Sequence, residues 1–353
     1  MKPNEQNTSA QAKRYLMFCE LAYAFPILRP LQDAIRKRGD ECAWFLVDGC
    51  PNMLNEDEVL LHSAEDVKAY NPVAVFAPGN WIYPSFPGVK VQVFHGYPIN
   101  KRADKVDDHF RMRGWFDMYC TSGPSSTPEF NRLAEKLKYF KVYETGWCKA
   151  DSLANAKAKA NANTKAKPTI FVASTFSKNI SSLHVFFPII KQLAEEMDWN
   201  WIVTKHPKLH DEHLETLYAD LAATHENVRF SPQTDVDEMA HSDVMLCDSS
   251  SIIVEYLLLD KPVVTYRNTR PDSHLINIYN IEDIRGAIEK ALTRPDELMQ
   301  AIRAFASYHE AHMDGQNCER ILDSVDDFVA NYKGRLKRKP LNLIRRIKLG
   351  IRH

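Results

Sequence analysis

Ser242 to Tyr266 reads SDVMLCDSSSIIVEYLLLDKPVVTY, and this stretch decides the fold. VMLC is a short apolar run, DSSS (Asp248 to Ser251) a polar turn, and IIVEYLLLD an apolar segment of helical length. Pro262 opens VVTY, whose β-branched residues suit a strand. The hydroxyls of Ser249, Ser250 and Ser251 therefore fall between a strand end and a helix start. Exposed amides and the helix dipole at such a start favour an anionic group. Open parallel α/β sheets bind ligands at the carboxyl ends of their strands. Asp248 and the serines are also favoured helix caps, so a purely structural role stands beside phosphate binding.

Working outward, the same alternation recurs on both sides. Upstream, the expected strands are Arg14 to Cys19, Cys42 to Val47, Val73 to Ala77, Val89 to Phe94, Asp117 to Cys120 and Lys141 to Glu144. Helices are expected over Phe25 to Arg38, within Asn52 to Tyr70, and over Glu129 to Lys138. A second series opens at Pro168 to Ser174 and Trp199 to Lys205, with helices over Leu183 to Met197, Glu212 to Ala223 and Gln316 to Tyr332. Between the series lies ANAKAKANANTKAK (Ala154 to Lys167), a low-complexity tract that reads as an exposed interdomain linker, helical in part. Alternating strands and helices argue for parallel α/β domains. The expected organisation is a disordered 1–13, a Rossmann-like acceptor-side domain at 14–153, the linker at 154–167, a Rossmann-like donor-binding domain at 168–332, and a tail at 333–353. Two such domains facing across a cleft make a GT-B α/β architecture.

Composition removes several classes. The chain has 353 residues, 44% hydrophobic and 26% charged, as a soluble globular protein does. Seven cysteines form no CxxC pair, and His184, His210, His241 and His274 lack metal-ligand spacing. Neither a metal nor a cofactor is expected, and no Gly-rich dinucleotide or ATP motif is present. The polar start lacks a signal peptide's apolar core, and no apolar run reaches the roughly 18 residues of a membrane span. A reducing cytoplasm fits. The net charge of −1 hides an asymmetry: Lys333 to His353 carries nine Lys or Arg and no acid, so the rest sums to −10. Leu341, Leu343, Ile344, Ile347 and Ile351 interleave with those cations, which suits an amphipathic helix on an anionic membrane surface. A solvated tail and a nucleic-acid contact are the alternatives. The absence of aromatic residues counts against single-stranded nucleic acid, and no nucleic-acid partner is expected.

Three polar clusters follow expected buried strands: His95 to Pro98 (HGYP), Lys205 to Pro207 (KHP), and Asp248 to Ser251. His95 is a candidate general base, and Gly96 beside it lets a ligand approach the backbone. Lys205 and His206 are candidate phosphate contacts. Glu255, in the helix after the serines, can accept ribose hydroxyls or face solvent. Each histidine can equally be a structural hydrogen bonder.

Taken in order, these motifs resemble the CDP-glycerol glycerophosphotransferase family of teichoic-acid primases and polymerases. FHGYPINKR (Phe94 to Arg102) is similar to that family's histidine-glycine motif, ETGWCKADSL (Glu144 to Leu153) to its middle motif, and VTKHP (Val203 to Pro207) to its Lys-x-His-Pro motif. Ser242 to Tyr266 matches its serine-pair segment, and DGQNCERILDSV (Asp314 to Val325) its closing helix. The resemblance spans about Val89 to Val325. It implies a GT-B fold, a peripheral place at the inner membrane face, and transfer of glycerol phosphate from CDP-glycerol to a hydroxyl of a glycan or lipid-linked acceptor, with release of CMP. Carried over, His95 deprotonates the acceptor, and His206 contacts the donor diphosphate. Gly96, Lys205, Asp248, Ser249, Ser250, Ser251 and Glu255 line the donor side, and Arg320 lies in the closing helix near the donor. The family's Tyr before the serine pair is Ser249 here, and Ala173 to Ser177 lacks the family's Arg. CDP-ribitol or another CDP-polyol is therefore a further donor. The alternatives are a UDP-sugar-dependent GT-B glycosyltransferase or nucleotide-sugar epimerase, whose folds place small residues, an acidic helix residue and a Lys-Pro strand start similarly, and a non-catalytic membrane-surface module.

Overall fold

The computed structural model describes residues 11–98, 109–161, 167–176, 181–206, 208–232 and 234–342. They form two compact units: 1–149 together with 316–353, and 150–315.

The first unit begins with β1 (Arg14–Cys19), α1 (Ala24–Lys37), β2 (Glu41–Leu46), α2 (Ala64–Tyr70), β3 (Ala74–Ala77), β4 (Val89–Gln92), β5 (Met118–Thr121), α3 (Thr127–Leu137) and β6 (Lys141–Glu144). Its strands form one parallel sheet in the order β2-β1-β3-β4-β5-β6. β1, β3, β4 and β5 are buried almost residue for residue rather than on alternate positions, as a sheet covered on both faces requires. The expected mixed segment Asn52 to Tyr70 is helical only in α2. A reciprocal capping box sets its start: Asp66 N–H donates to Ser63 Oγ at 3.0 Å, and Ser63 N–H to Asp66 Oδ2 at 2.9 Å. Aromatic side chains dominate the core, with Phe18, Phe86, Phe94, Tyr119, Phe130 and Phe140 packed together.

The second unit holds α4 (Ala150–Asn161), β7 (Thr169–Val172), α5 (Leu183–Glu196), β8 (Asn200–Thr204), α6 (Glu212–Thr224), β9 (Val228–Ser231), α7 (Val236–His241), β10 (Val244–Cys247), α8 (Ile252–Leu258), β11 (Val263–Tyr266), β12 (Ile276–Ile278), α9 (Ile284–Leu292) and α10 (Asp296–His309). The sheet is again parallel, ordered β12-β11-β10-β7-β8-β9. This is the Rossmann order read from the opposite edge. The strand–turn–helix–strand reading of Ser242 to Tyr266 corresponds to β10, α8 and β11. The short edge strand β12 has no counterpart among the expected elements.

Two boundaries differ from expectation. The tract read as a linker carries most of α4, which packs on α7 and α8. Leu153, Ala156 and Ala160 are buried at helical spacing, and Ala has the best helix propensity. The expected helical part is thus present up to Asn161 but packed rather than exposed, and 162–166 lie outside the described residues. The closing helix, α11 (Asn317–Asn331), belongs to the first unit and not to 168–332. It packs on α1 and β6 through Cys318, Ile321, Leu322, Val325 and Phe328. Its polar face meets Lys13 at Asp326 and Arg38 at Glu319 and Asp323. Such partly exposed pairs fix register more than they stabilise. After α11, Lys339 Nζ binds Trp115 O at 3.1 Å and Asp117 at 2.7 Å, and Asn342 Nδ2 donates to Arg113 O at 2.7 Å. These contacts hold 333–342 against the amino-terminal edge of the first sheet. Leu341 and Asn342 are not helical, and the remainder of the expected amphipathic helix lies outside the described residues. Among the described residues no helix is long and apolar enough to cross a membrane.

In α10, His309 is buried, and its ring packs on Phe305 at 4.5 Å, with His274 on Phe305 at 4.1 Å. Burial, and then the neighbouring His274, push His309 down from 6.5 to about 4. A lowered histidine value means that only the unfolded chain takes the proton below 6.5. Stability is therefore full above 6.5 and falls as the pH drops towards 4, by on the order of 3 kcal/mol. Denaturant titration of the second unit at pH 7 and pH 4.5 should show this loss, and His309→Gln should flatten it.

Candidate functional site

Parallel strands deliver their carboxyl ends to one edge of each sheet, and each sheet has a point where the chain reverses its direction of strand addition. In the second unit that point lies between β7 and β10. Asp248, just after β10, is 1% exposed. Its carboxylate accepts hydrogen bonds from Ser174 Oγ, from the Thr175 amide at 2.9 and 3.1 Å, from the Ser182 amide at 3.2 Å and from the Ser249 amide at 2.6 Å. One side chain thus ties the turn after β10 to the loop after β7 and to the start of α5. Burial pushes the Asp248 carboxyl pKa up, against four donors that favour the ionised form. With its oxygens engaged, Asp248 builds the rim and does not offer a free carboxylate to a ligand.

The serines divide in the same way. Ser249 Oγ accepts the Thr269 amide at 3.0 Å, and Asn268 Nδ2 donates to Asp248 O at 2.8 Å, so the loop after β11 is pinned on the turn. Ser250 is buried and Ser251 exposed, and Ser251 caps α8 without a side-chain hydrogen bond. Their hydroxyls remain for a ligand at the α8 start. Glu255 lies one turn further on, half-buried. After β8, the Lys208 amide donates to His206 Nδ1 at 3.1 Å, and the His206 ring packs on Phe176 at 4.7 Å. An amide can only donate, so Nδ1 is the acceptor and the ring hydrogen sits on Nε2. Lys205 points elsewhere: its Nζ pairs with Glu215 of α6 and reaches Leu209 O at 3.4 Å. It therefore serves the strand-to-helix connection, and Pro207 lies outside the described residues.

In the first unit the reversal lies between β1 and β3. His95, beyond β4, is exposed, and its Nδ1 lies 3.3 Å from Pro78 O, beyond β3. A carbonyl can only accept, so Nδ1 carries the hydrogen, and in the neutral ring the lone pair lies on Nε2. Phe94, immediately before it, has φ 59°, a left-handed conformation that costs a bulky residue on the order of 1–3 kcal/mol. Tertiary contacts impose it. The Phe94 ring packs on His109 and Phe130, and Trp147 Nε1 donates to Phe94 O at 3.1 Å. Trp147 is held in turn by α11: Asn317 Nδ2 donates to Trp147 O at 3.1 Å, and Arg320 Nη1 to Asn317 Oδ1 at 2.9 Å. Gly146 has φ 76°, and a Cβ there would lie 2.4 Å from the buried Asn317 side chain. Arg320 thus stands in the first unit, where it orients Asn317. Gly96, next to His95, has open space around it.

The motifs sort by unit. The histidine-glycine motif, the middle motif and the closing helix meet around His95. The Lys-x-His-Pro and serine motifs occupy the rim of the second sheet. Ser174, Ser182, Thr269, Asn317 and Trp147 were not among the expected site residues. Small polar residues after strands were the only signal for the first three, and nothing in the chain order paired Trp147 with Asn317. Asp248→Asn replaces an acceptor oxygen with a donor facing other donors. It should destabilise the second unit by on the order of 3 kcal/mol and speed amide exchange at Thr175 and Ser182. Ser251→Ala should stay within about 0.5 kcal/mol of wild type in the same denaturation measurement.

No curated protein matches the chain. Among solved structures, the wall teichoic acid polymerase TagF is similar at 15% identity and TM-score 0.59, over 90% of this chain and 89% of that one. The MnaA–UDP structure from S. aureus is similar at 14% identity and TM-score 0.58, over 93% and 99%. UDP-GlcNAc 2-epimerase from Neisseria meningitidis, bound to UDP-GlcNAc, is similar at 14% identity and TM-score 0.55, over 89% and 100%. The two Rossmann-like units have the GT-B fold these structures share. The sequence motifs resembled the teichoic-acid transferases, but the family model that matches is the one described as UDP-N-acetylglucosamine 2-epimerase, over residues 122–326. That match covers more than half of the chain, and the protein belongs to the UDP-N-acetylglucosamine 2-epimerase family.

Proposed function

We propose that this member of an enzyme family moves a polyol phosphate, glycerol phosphate first among candidates, from a CDP-activated donor to a hydroxyl of a glycan or lipid-linked acceptor. The observation that carries the proposal lies in the first unit, where a backbone carbonyl sets the hydrogen of the His95 ring on Nδ1. His95 presents the lone pair of Nε2 and can accept a proton. His206 carries its ring hydrogen on Nε2, the polarity that a donor to a phosphate oxygen needs. Transfer to a hydroxyl needs a proton acceptor for the nucleophile and donors for the departing phosphate. The acceptor oxygen attacks the phosphorus bearing the polyol, and its proton passes to His95. The bond from that phosphorus to the oxygen of CMP breaks, and charge grows on the departing phosphate. His206 Nε2–H, the hydroxyls of Ser250 and Ser251, and the α8 amides are the groups that would stabilise this charge. Arg320, Asn317 and Trp147 act behind His95, by holding the loop that carries it.

A second reading is nucleotide-sugar chemistry on UDP, as in an epimerase or glycosyltransferase. The family match favours it, together with relatives whose structures hold UDP or UDP-GlcNAc. The two part on products. Purified protein should be offered CDP-glycerol, CDP-ribitol and UDP-GlcNAc separately in D2O, with crude membrane lipid as acceptor. CMP from a CDP-polyol is the expected outcome, and His95→Ala should lower its rate about 10²–10⁴-fold while donor binding persists. UDP release, or deuterium incorporated into the sugar without CMP, would assign the second reading.

The basic tail supports a place at the inner membrane face. Its first residues are tied to the amino-terminal edge of the first sheet, and His95 stands at the carboxyl-terminal edge. Removing 343–353 deletes four of the nine tail cations. Binding to vesicles rich in anionic lipid should weaken, since each cation near such a surface is worth about 1 kcal/mol. Unchanged sedimentation with those vesicles would dismiss the membrane role.

A further inference from the structure

We infer that Glu20 and Tyr23 form an acceptor subsite beside His95, and that it takes the hydroxyl adjacent to the reacting one in a vicinal diol. The inference rests on the transfer reading and names the acceptor's chemical class. Glu20 follows β1 at the reversal point of the first sheet, and two connections place it next to His95. Tyr23 donates its hydroxyl to Glu20 Oε1 at 2.7 Å, and its ring lies 5.5 Å from the His95 ring. On the other side, Pro78 binds the His95 ring, and Gly79, its neighbour, makes room for the Glu20 carboxylate. A Cβ at Gly79 would fall 1.9 Å from Glu20 Oε1. Gln92, itself 4% exposed, fixes that loop by donating to Gly79 O at 2.9 Å.

Among the described residues Glu20 is underemployed. Tyr23 occupies Oε1, while Oε2 has no hydrogen-bond partner among the described residues, and no Lys or Arg there pairs with the carboxylate. Capping does not account for it, since α1 begins without a side-chain cap. Burial, and then Glu20 itself, push the Tyr23 pKa up, so the phenol keeps its proton and remains a donor to Glu20. An ionised carboxylate only accepts. The partner of Oε2 must therefore bring a hydrogen, and a phosphate there would be repelled. A diol terminus satisfies both demands: one hydroxyl faces His95 Nε2, and its neighbour donates to Glu20.

The test compares glycerol with 1,3-propanediol, which lacks the adjacent hydroxyl, as soluble acceptors for CMP release. Wild type should use glycerol better by about tenfold or more in kcat/KM, the scale of one site-directed hydroxyl hydrogen bond. Glu20→Gln should raise the KM for glycerol and erase the preference, leaving the donor KM unchanged. Tyr23→Phe, a positioning change, should raise the glycerol KM less and leave the donor KM alone. Gly79→Ala should reproduce the Glu20→Gln pattern without removing a charge. A preserved glycerol preference in Glu20→Gln would overturn the subsite. If wild type releases no CMP from any donor, the transfer reading fails by itself. Saturation-transfer NMR of the two diols then decides the subsite, and equal signals from wild type and Glu20→Gln would overturn it.

Discussion

A buried carboxylate without a cation persists only when hydrogen-bond donors surround it, and Asp248 meets that condition with one hydroxyl and three backbone amides. Those donors come from three pieces of chain that the sheet order brings together: the loop after β7, the start of α5, and the turn after β10. The second unit's rim depends on this single group. Because Asp248 satisfies the structural demand, Ser250 and Ser251 do not have to. The same polar turn thus divides its labour, with the acid turned inward, Ser249 holding the next loop and Ser251 exposed.

The first unit solves a different problem, which is to hold an exposed histidine on a short loop without fixing it in the core. Support is applied one residue earlier. Phe94 is forced into a left-handed conformation, its ring is packed among aromatics, and its carbonyl is taken by the Trp147 indole. Behind Trp147 stands α11, which returns from the far end of the chain to supply Asn317 and Arg320. Pro78 then sets the tautomer of His95 from the neighbouring strand. A side chain held by such layers of support keeps its geometry because each layer is fixed by packing rather than by the loop itself.

What the sequence determined by itself is the local grammar. Apolar runs of strand length, separated by helices and closed by polar turns, specify two parallel α/β units, because strands buried on both faces must be apolar throughout. The same grammar places His95, His206 and the serines after strands, where parallel sheets gather their polar ends. Ser63 and Asp66 even mark the first turn of α2. Tertiary structure decided the rest. The Ala-rich tract became a packed helix because Leu153, Ala156 and Ala160 found a surface, which composition does not reveal. α11 joined the first unit because its apolar stripe fits α1 and β6, although it follows the second unit in the chain. Lys205 turned to Glu215, Asp248 turned inward, and the backbone group that each histidine met decided which ring nitrogen carries the hydrogen. Sequence spacing fixes which residues stand at a strand end. Which atom of each side chain is already spent on the protein, and which is left for a ligand, depends on neighbours far away in the chain.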